Sequence, residues 1–232
     1  MIKIVPMSAR IEYGPPAEEL LETIERAGRT CYKSEGKIGD GTARKFIKSL
    51  ISRGHESVIE HGAITVRFIV DRGVTHELVR HRLASYSQES TRYCNYGNDD
   101  GVITVCQPNF WDFLGDPDED FAGTDKNAEK RRVWVDAMEA ANGFYQKLIA
   151  LGATPQEARS VLPQSTKADI VATMNPRQWR HYFIMRCAPA AHPDIRKVSI
   201  ELLNEFHKTY PVLFDDLYEK FICQMSAAEE GL

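Results

Sequence analysis

Residues 62–70 constrain the fold more than any other stretch. Ile64, Val66, Phe68 and Val70 alternate with Thr65, Arg67 and Ile69. That period of two sends successive side chains to opposite faces of a sheet, so the segment reads as a strand with an apolar face to bury. Asp71-Arg72-Gly73 ends it, and Thr75 is a plausible cap for the helix that follows. Val74, Leu78 and Val79 fall on the inner side of that helix, and Glu77 and Arg80, three apart, share another face.

The surrounding segments are consistent with helices packed on a sheet. Ile2, Ile4 and Val5 read as a short opening strand. After Pro15-Pro16, the spacing of Leu20, Leu21, Ile24 and Ala27 predicts a helix over about 17–28, with Gly28 as its stop. A second helix over about 42–53 carries Phe46, Ile47, Leu50 and Ile51 inward. Residues 102–105 form a short apolar run, and the acidic segment 112–125 reads as a solvated loop. A long helix from about 125 to 151 repeats Trp134, Met138, Ala141, Tyr145 and Leu148 at spacings of three or four. Its length suits a scaffold or an oligomer contact. Thr154-Pro155-Gln156-Glu157 has the form of a capped helix start and leads into Arg159 and Leu162-Pro163. Residues 167–174 read as a strand, and Asn175-Pro176 opens a helix on which Arg177 and His181 share a face and Arg186 lies near the end. Two further helices close the chain, one carrying Ile195, Val198, Leu202 and Phe206 and a shorter one after Pro211. The expected class is α/β of the α+β type: a mixed or antiparallel twisted sheet flanked by helices, with a helical C-terminal part.

A chain of 232 residues has ample core for one large domain or two small ones. Its net charge of -4 disfavours a nucleic-acid polymer as partner, which would call for a basic balance. No apolar run is long enough to span a membrane, and the first residues do not form a signal peptide. The cysteines, five in number and without a Cys-x-x-Cys pair, point to a reducing cytoplasm and against structural zinc. Other metal patterns fail too. His55 and His61 are six apart, and His76 and His81 are five apart, so neither pair shares a helix face. The glycines at 36–41 lack the Lys-Ser/Thr of a phosphate loop.

Against this background, residues 80–92 are distinctive, with three arginines, a histidine, three serines and a threonine. Guanidinium forks and hydroxyls suit phosphate oxygens, so the stretch reads as a loop that closes on an anion. Ser90 has no elbow motif and no histidine near it in sequence to act as base, which favours an anchor over a nucleophile. The cysteines have plain contexts. Arg80, Arg82, Arg92, Arg159, Arg177 and Arg186 remain. Arginine does not act as a base but can stabilise developing charge, so a cofactor would carry the redox or group-transfer step.

Arg80-His81-Arg82, Ser85, Ser90 and Arg92 resemble the Arg-His-Arg-x-x-Ser-x-x-x-x-Ser-x-Arg signature of the flavin-dependent thymidylate synthases at all six specified positions. Gly54-His55-Glu56-Ser57, Glu60-His61, Thr75-His76-Glu77-Leu78-Val79, Glu157-Ala158-Arg159 with Leu162-Pro163, Asn175-x-Arg177 and Arg186 are similar to further segments of the family. The resemblance implies a single domain over 1–232 that methylates dUMP reductively to dTMP. Methylenetetrahydrofolate would be the carbon donor and NADPH the reductant, acting through FAD. It also implies a homotetramer with active sites shared between subunits, and no attacking cysteine. Ser57, Arg80, His81 and Arg82 would hold FAD, with His55 beside the flavin or folate, and Asn175, Arg177 and His181 completing the flavin site. Gln88, Glu89, Ser90, Thr91 and Arg92 would wrap the dUMP phosphate and sugar, helped by Glu77, Arg80 and Arg159; Gln88 would also reach the cofactor. Arg186 would face the uracil and stabilise charge there. Two rivals stand beside this reading. One is a non-catalytic nucleotide- or nucleic-acid-binding module; the other is a flavin-dependent uridine methyltransferase acting on RNA, which would want a basic surface.

Overall fold

In a computed structural model of the chain, the described residues are 2–97, 101–110 and 126–224. The acidic segment expected at 112–125 lies outside them. The strands are β1 (Lys3–Val5), β2 (Ser8–Tyr13), β3 (Ile64–Asp71), β4 (Ser85–Gln88), β5 (Thr104–Cys106) and β6 (Lys167–Met174). The helices are α1 (Ala17–Thr30), α2 (Thr42–Ser52), α3 (Arg72–Leu78), α4 (Lys126–Ala150), α5 (Pro155–Ala158), α6 (Pro176–Arg186), α7 (Pro193–Thr209) and α8 (Pro211–Tyr218). A four-stranded antiparallel sheet has the order β2-β3-β6-β4. A separate parallel pair joins β1 to β5 in the register Lys3↔Thr104, Ile4↔Val105, Val5↔Cys106. The expected α+β class with a helical C-terminal part is the observed one. Among the described residues, no helix is long and apolar enough to cross a membrane.

The chain divides into two compact units. The first comprises residues 1–8, 68–80 and 87–170; the second comprises 9–67, 81–86 and 171–232. In the first unit α4 is the scaffold. Met138 and Tyr145 on its inner stripe pack with Ile103, Val105 and Ala158, and Trp134 and Leu148 border the cluster. Its polar groups are matched as well: the Asn142 side-chain oxygen accepts the buried Ile103 N–H at 3.1 Å, and the Trp134 indole donates to Ser165 Oγ at 3.3 Å.

The second unit is built on the aromatic side of α6. Trp179, Tyr182 and Phe183 are fully buried and meet Phe206 of α7 and Phe214 of α8. Arg180 of α6 is buried too. Its guanidinium donates to both oxygens of Asp216 at 2.7 Å, to the Leu213 carbonyl at 2.6 Å and to Glu56 at 3.1 Å, which satisfies a charge that would otherwise be costly to bury.

Several local expectations are corrected. Gly28 does not stop α1, which continues to Thr30. A Cβ at this position would stand 2.6 Å from Phe46 Cε1 and 2.8 Å from Val58 Cγ1, so the glycine serves a close approach. Glycine to alanine inside a helix ordinarily stabilises by about 1 kcal/mol. Gly28→Ala is expected to reverse that sign and destabilise by about 1–3 kcal/mol through overpacking. A urea midpoint that rises or stays put would show that Phe46 yields at no cost.

The cap of α3 is Asp71, whose carboxylate accepts the Val74 N–H at 2.7 Å; Thr75 lies inside the helix and donates to the Arg72 carbonyl. Val79, expected to face inward, is exposed. Part of the stretch expected to be a loop closing on an anion is strand: residues 85–88 form the sheet edge beside β6. The opposite edge, β2, has no counterpart in the sequence reading, although Ala9 and Ile11 alternate with exposed Ser8, Arg10 and Glu12 and offered a short period-two signal.

Candidate active site

The first unit holds one half of the candidate residues. At the end of β4, the Gln88 amide donates to Thr75 Oγ1 at 3.2 Å. The Glu89 N–H donates to the Asp169 carbonyl at 2.8 Å, extending the contact with β6. The Glu89 carboxylate accepts from the Tyr96 hydroxyl at 2.6 Å, from Lys167 Nζ at 3.0 Å and from the Asp169 N–H at 3.3 Å. Burial, together with the hydrogen bond and charge of Glu89, pushes the Tyr96 phenol upward, so it stays a donor. Glu89, expected on the substrate, therefore has its carboxylate engaged within the protein, where it braces the turn that follows.

In that turn, the N–H groups of Tyr93 and Cys94 donate to the Ser90 carbonyl at 3.1 and 3.0 Å. The Arg92 N–H donates to Ser90 Oγ at 3.3 Å. Thr91 is buried, and Arg159 donates to its hydroxyl at 3.4 Å. Arg92 Nε donates to Gln156 at 2.9 Å, and its guanidinium lies over the Tyr93 ring. The one-turn helix α5 presents Gln156, and Arg159 follows it; its start is fixed by the predicted capping box of Thr154 and Glu157. The Arg159 guanidinium thus meets the Thr91 hydroxyl and the Arg92 backbone N–H the Ser90 hydroxyl, and donors of these kinds beside hydroxyls suit a phosphate. Glu77 is half-buried on α3, and Arg80 is exposed just past it.

The second unit holds the other half. Asn175 caps α6 by accepting the Gln178 N–H at 2.8 Å, which leaves its side-chain NH₂ as the group it can offer. Asn175, Arg177 and His181 line a cavity of about 540 Å³ together with Gln178, Glu56, Glu60, Leu83 and Ile184. Arg177 donates to Glu60 at 2.6 Å. His55 and Ser57 sit exposed on the turn that supplies Glu56, and Arg82 is exposed at the start of the loop. His81 is only 5% exposed. Its Nε2 accepts from Arg186 Nε at 3.0 Å, and its Nδ1 lies 3.5 Å from the Gln178 amide. Burial, reinforced by the charge of Arg186 and by His181, lowers the His81 pKa to about 4. Next in sequence to Arg186, the thiol of Cys187 is buried and pushed up to about 12, so it is no thiolate at neutral pH.

Sequence reasoning did not single out Gln156, Tyr96 and Lys167 in the first unit or Gln178 and Leu83 in the second. Gln178 lies one turn before His181, so helical spacing was a usable signal for it. The others meet their partners only through tertiary contacts.

The sequence profile of the family described as "Thymidylate synthase complementing protein" matches residues 16–212. The chain belongs to this family, the flavin-dependent thymidylate synthases. The flavin-dependent thymidylate synthase of Geobacter sulfurreducens is 32% identical over 216 residues, covering 90% of this chain and 85% of that protein. The one of Mycobacterium avium is 34% identical over 230 residues, covering 91% and 83%. Among solved structures, a UMP/dUMP methylase, PolB, of Streptomyces cacaoi bound to 5-Br dUMP superposes with a TM-score of 0.74 at 22% identity, covering 95% of this chain and 98% of that one. Thymidylate Synthase X of Helicobacter pylori with FAD and dUMP gives 0.70 at 21% identity, covering 91% and 98%. At these identities the likeness bears on the fold. As a member of the family, the chain is an enzyme.

Proposed function

We propose that this enzyme converts dUMP, methylenetetrahydrofolate, NADPH and a proton into dTMP, tetrahydrofolate and NADP⁺, with FAD as its cofactor. The observation that carries the reading is the candidate anion cradle of the first unit, where the Arg159 guanidinium meets the Thr91 hydroxyl and the Arg92 backbone N–H meets the Ser90 hydroxyl. A nucleoside monophosphate supplies the group such a cradle takes, and the family supplies the reaction class.

The residues of the second unit fit a flavin dinucleotide. Such a cofactor has a diphosphate, sugar hydroxyls and flat rings. The cavity offers donors in Asn175, Arg177 and His181, carboxylate acceptors in Glu56 and Glu60, and apolar cover in Leu83 and Ile184. FAD, when bound, supplies hydride transfer from NADPH. Asn175, Arg177 and His181 would hold it, with Ser57, Arg80, Arg82 and Gln88 as further candidates for its polar groups and His55 for the flavin or folate. On dUMP, Ser90, Thr91, Arg92 and Arg159 would anchor the phosphate and sugar, assisted by Glu77, Arg80, Gln88 and the Glu89 backbone. Arg186 would stabilise negative charge on the uracil as C6 receives a hydride. A cytoplasmic homotetramer with sites shared between subunits completes the proposal.

The test is dUMP-dependent NADPH oxidation with tritium release from C5 of the uracil, run beside UMP. Absence of release with FAD and folate present would remove the reading. Ser90→Ala is expected to raise the KM for dUMP about 10-fold, the size of one lost hydrogen bond to an ionised group, with kcat largely kept. Complete loss of turnover at saturating dUMP would instead restore Ser90 as a nucleophile.

A further inference from the structure

We propose that His81 is the positioning residue for Arg186: its Nε2 lone pair takes the Arg186 Nε–H and fixes the plane and reach of the guanidinium. The proposal rests on the reading above in so far as Arg186 faces the uracil. The resemblance alone gives His81 to the flavin; the geometry points elsewhere.

A guanidinium only donates hydrogen bonds. The 3.0 Å contact therefore requires that Nε2 carry the lone pair and Nδ1 the proton. Nδ1 lies 3.5 Å from the Gln178 side-chain amide. With that amide turned end for end, its oxygen accepts the Nδ1 proton and selects the tautomer. The ring has little freedom to turn away. Tyr182 meets it edge-on at 5.2 Å and His181 at 5.8 Å. The backbone is tied as well, because the Tyr86 hydroxyl, pushed up to about 12 by burial, donates to the His81 carbonyl at 2.9 Å. The same burial that lowers the His81 pKa keeps Nε2 an acceptor at working pH.

The site chemistry explains why such a brace is useful. Arginine has a long, rotamer-rich side chain, and a charge that stabilises a transition state must be placed before the reaction begins. A grip through Nε occupies neither Nη group, and the Nη1/Nη2 edge suits a pair of carbonyl-type acceptors. A carboxylate partner in place of His81 would hold the guanidinium more tightly but neutralise the charge it carries. A neutral imidazole positions the guanidinium without adding a negative charge of its own.

The first measurement is ¹⁵N NMR of histidine-labelled holoenzyme. The expected state of His81 is neutral with the proton on Nδ1 between pH 5.5 and 8; a proton on Nε2 would overturn the proposal, whatever the enzyme's reaction. The second is His81→Phe, which keeps a ring but removes the acceptor. It is expected to weaken dUMP affinity and lower kcat, each about 10–100-fold, with bound flavin per chain unchanged. Loss of flavin with dUMP affinity kept would return His81 to the cofactor and sink the idea. His81→Gln, with an amide oxygen near the Nε2 position, is expected to recover most of the loss; it also serves if the Phe variant does not fold. In calorimetric dUMP titrations, His81→Phe combined with Arg186→Ala should be no worse than Arg186→Ala alone, whereas additive losses contradict a shared role. Wild-type enzyme without dUMP turnover would defeat the proposed function, and the NMR result would still decide the hydrogen bond.

Discussion

Arg186→Ala is expected to lower dTMP formation at least about 10²–10³-fold while FAD remains bound at the wild-type ratio. Arg186 is the last residue of α6, half-buried, with its Nε held on the His81 imidazole. In the proposed reaction, hydride arrival at C6 of the uracil would put negative charge on the ring, and a fixed cation lowers such a barrier only if it is already in place. Burial of the neighbouring Cys187 thiol leaves no thiolate beside Arg186 to take over activation of the ring. Arg186→Lys is expected to recover little, because an ammonium lacks both the planar fork and the Nε–H that the imidazole holds. Single-turnover dTMP formation with flavin loading read in parallel checks this. Surviving dTMP formation in the alanine variant would take Arg186 out of its role; parallel loss of flavin would make it a cofactor residue.

The largest expected stability effect is at Trp179, in the middle of the same helix. Trp179→Ala is expected to cost about 3–5 kcal/mol, the range for removing a large buried aromatic. For a chain of this size that corresponds to a melting temperature lowered by about 6–20 °C. The indole is fully buried, meets Tyr182 edge-on at 5.4 Å and Phe206 at 5.2 Å, and donates to the Ile64 carbonyl at 2.9 Å. That hydrogen bond ties α6 to the first residue of β3. Trp179→Phe isolates it: most of the ring packing stays, the Ile64 carbonyl loses its donor, and the expected cost is about 1–3 kcal/mol. A shift below about 2 °C for the alanine variant would mean that the cluster collapses around the gap, contrary to the close packing of protein interiors.

Much of the fold was legible because its signals are local. The alternation at 64–70 reappears as β3, with Ile64, Val66, Phe68 and Val70 buried. Thr154 with Glu157, and Asn175 before Pro176, cap the helices they were read to cap, since each cap bond spans only three residues. The errors came where local signals compete. Asp71 and Thr75 are both good capping types, and the extended backbone of Asp71 decides between them. Gly28 reads as a stop until Phe46 and Val58 are seen against it. The strand inside the signature, Ser85–Gln88, is polar on both faces, and only its place beside β6 makes it a strand.

For the candidate site the division is sharper. The sequence by itself determined the family, through the spacing of Arg80, His81, Arg82, Ser85, Ser90 and Arg92, and with it the expectation of an anionic ligand, which guanidiniums and hydroxyls in that density suit. Only the tertiary structure decided how the signature is apportioned. Residues 81–86 belong to the second unit and 87–92 to the first. Glu89 braces its own loop through Tyr96 and Lys167, and His81 turns inward to Arg186. The physical reason is the range of the forces involved. Periodicity and caps act within a turn or two of chain and are written in neighbouring residues. The His81–Arg186 contact joins residues 105 positions apart, and it exists because Tyr182, Gln178 and His181 pack a neutral imidazole where a guanidinium can reach it.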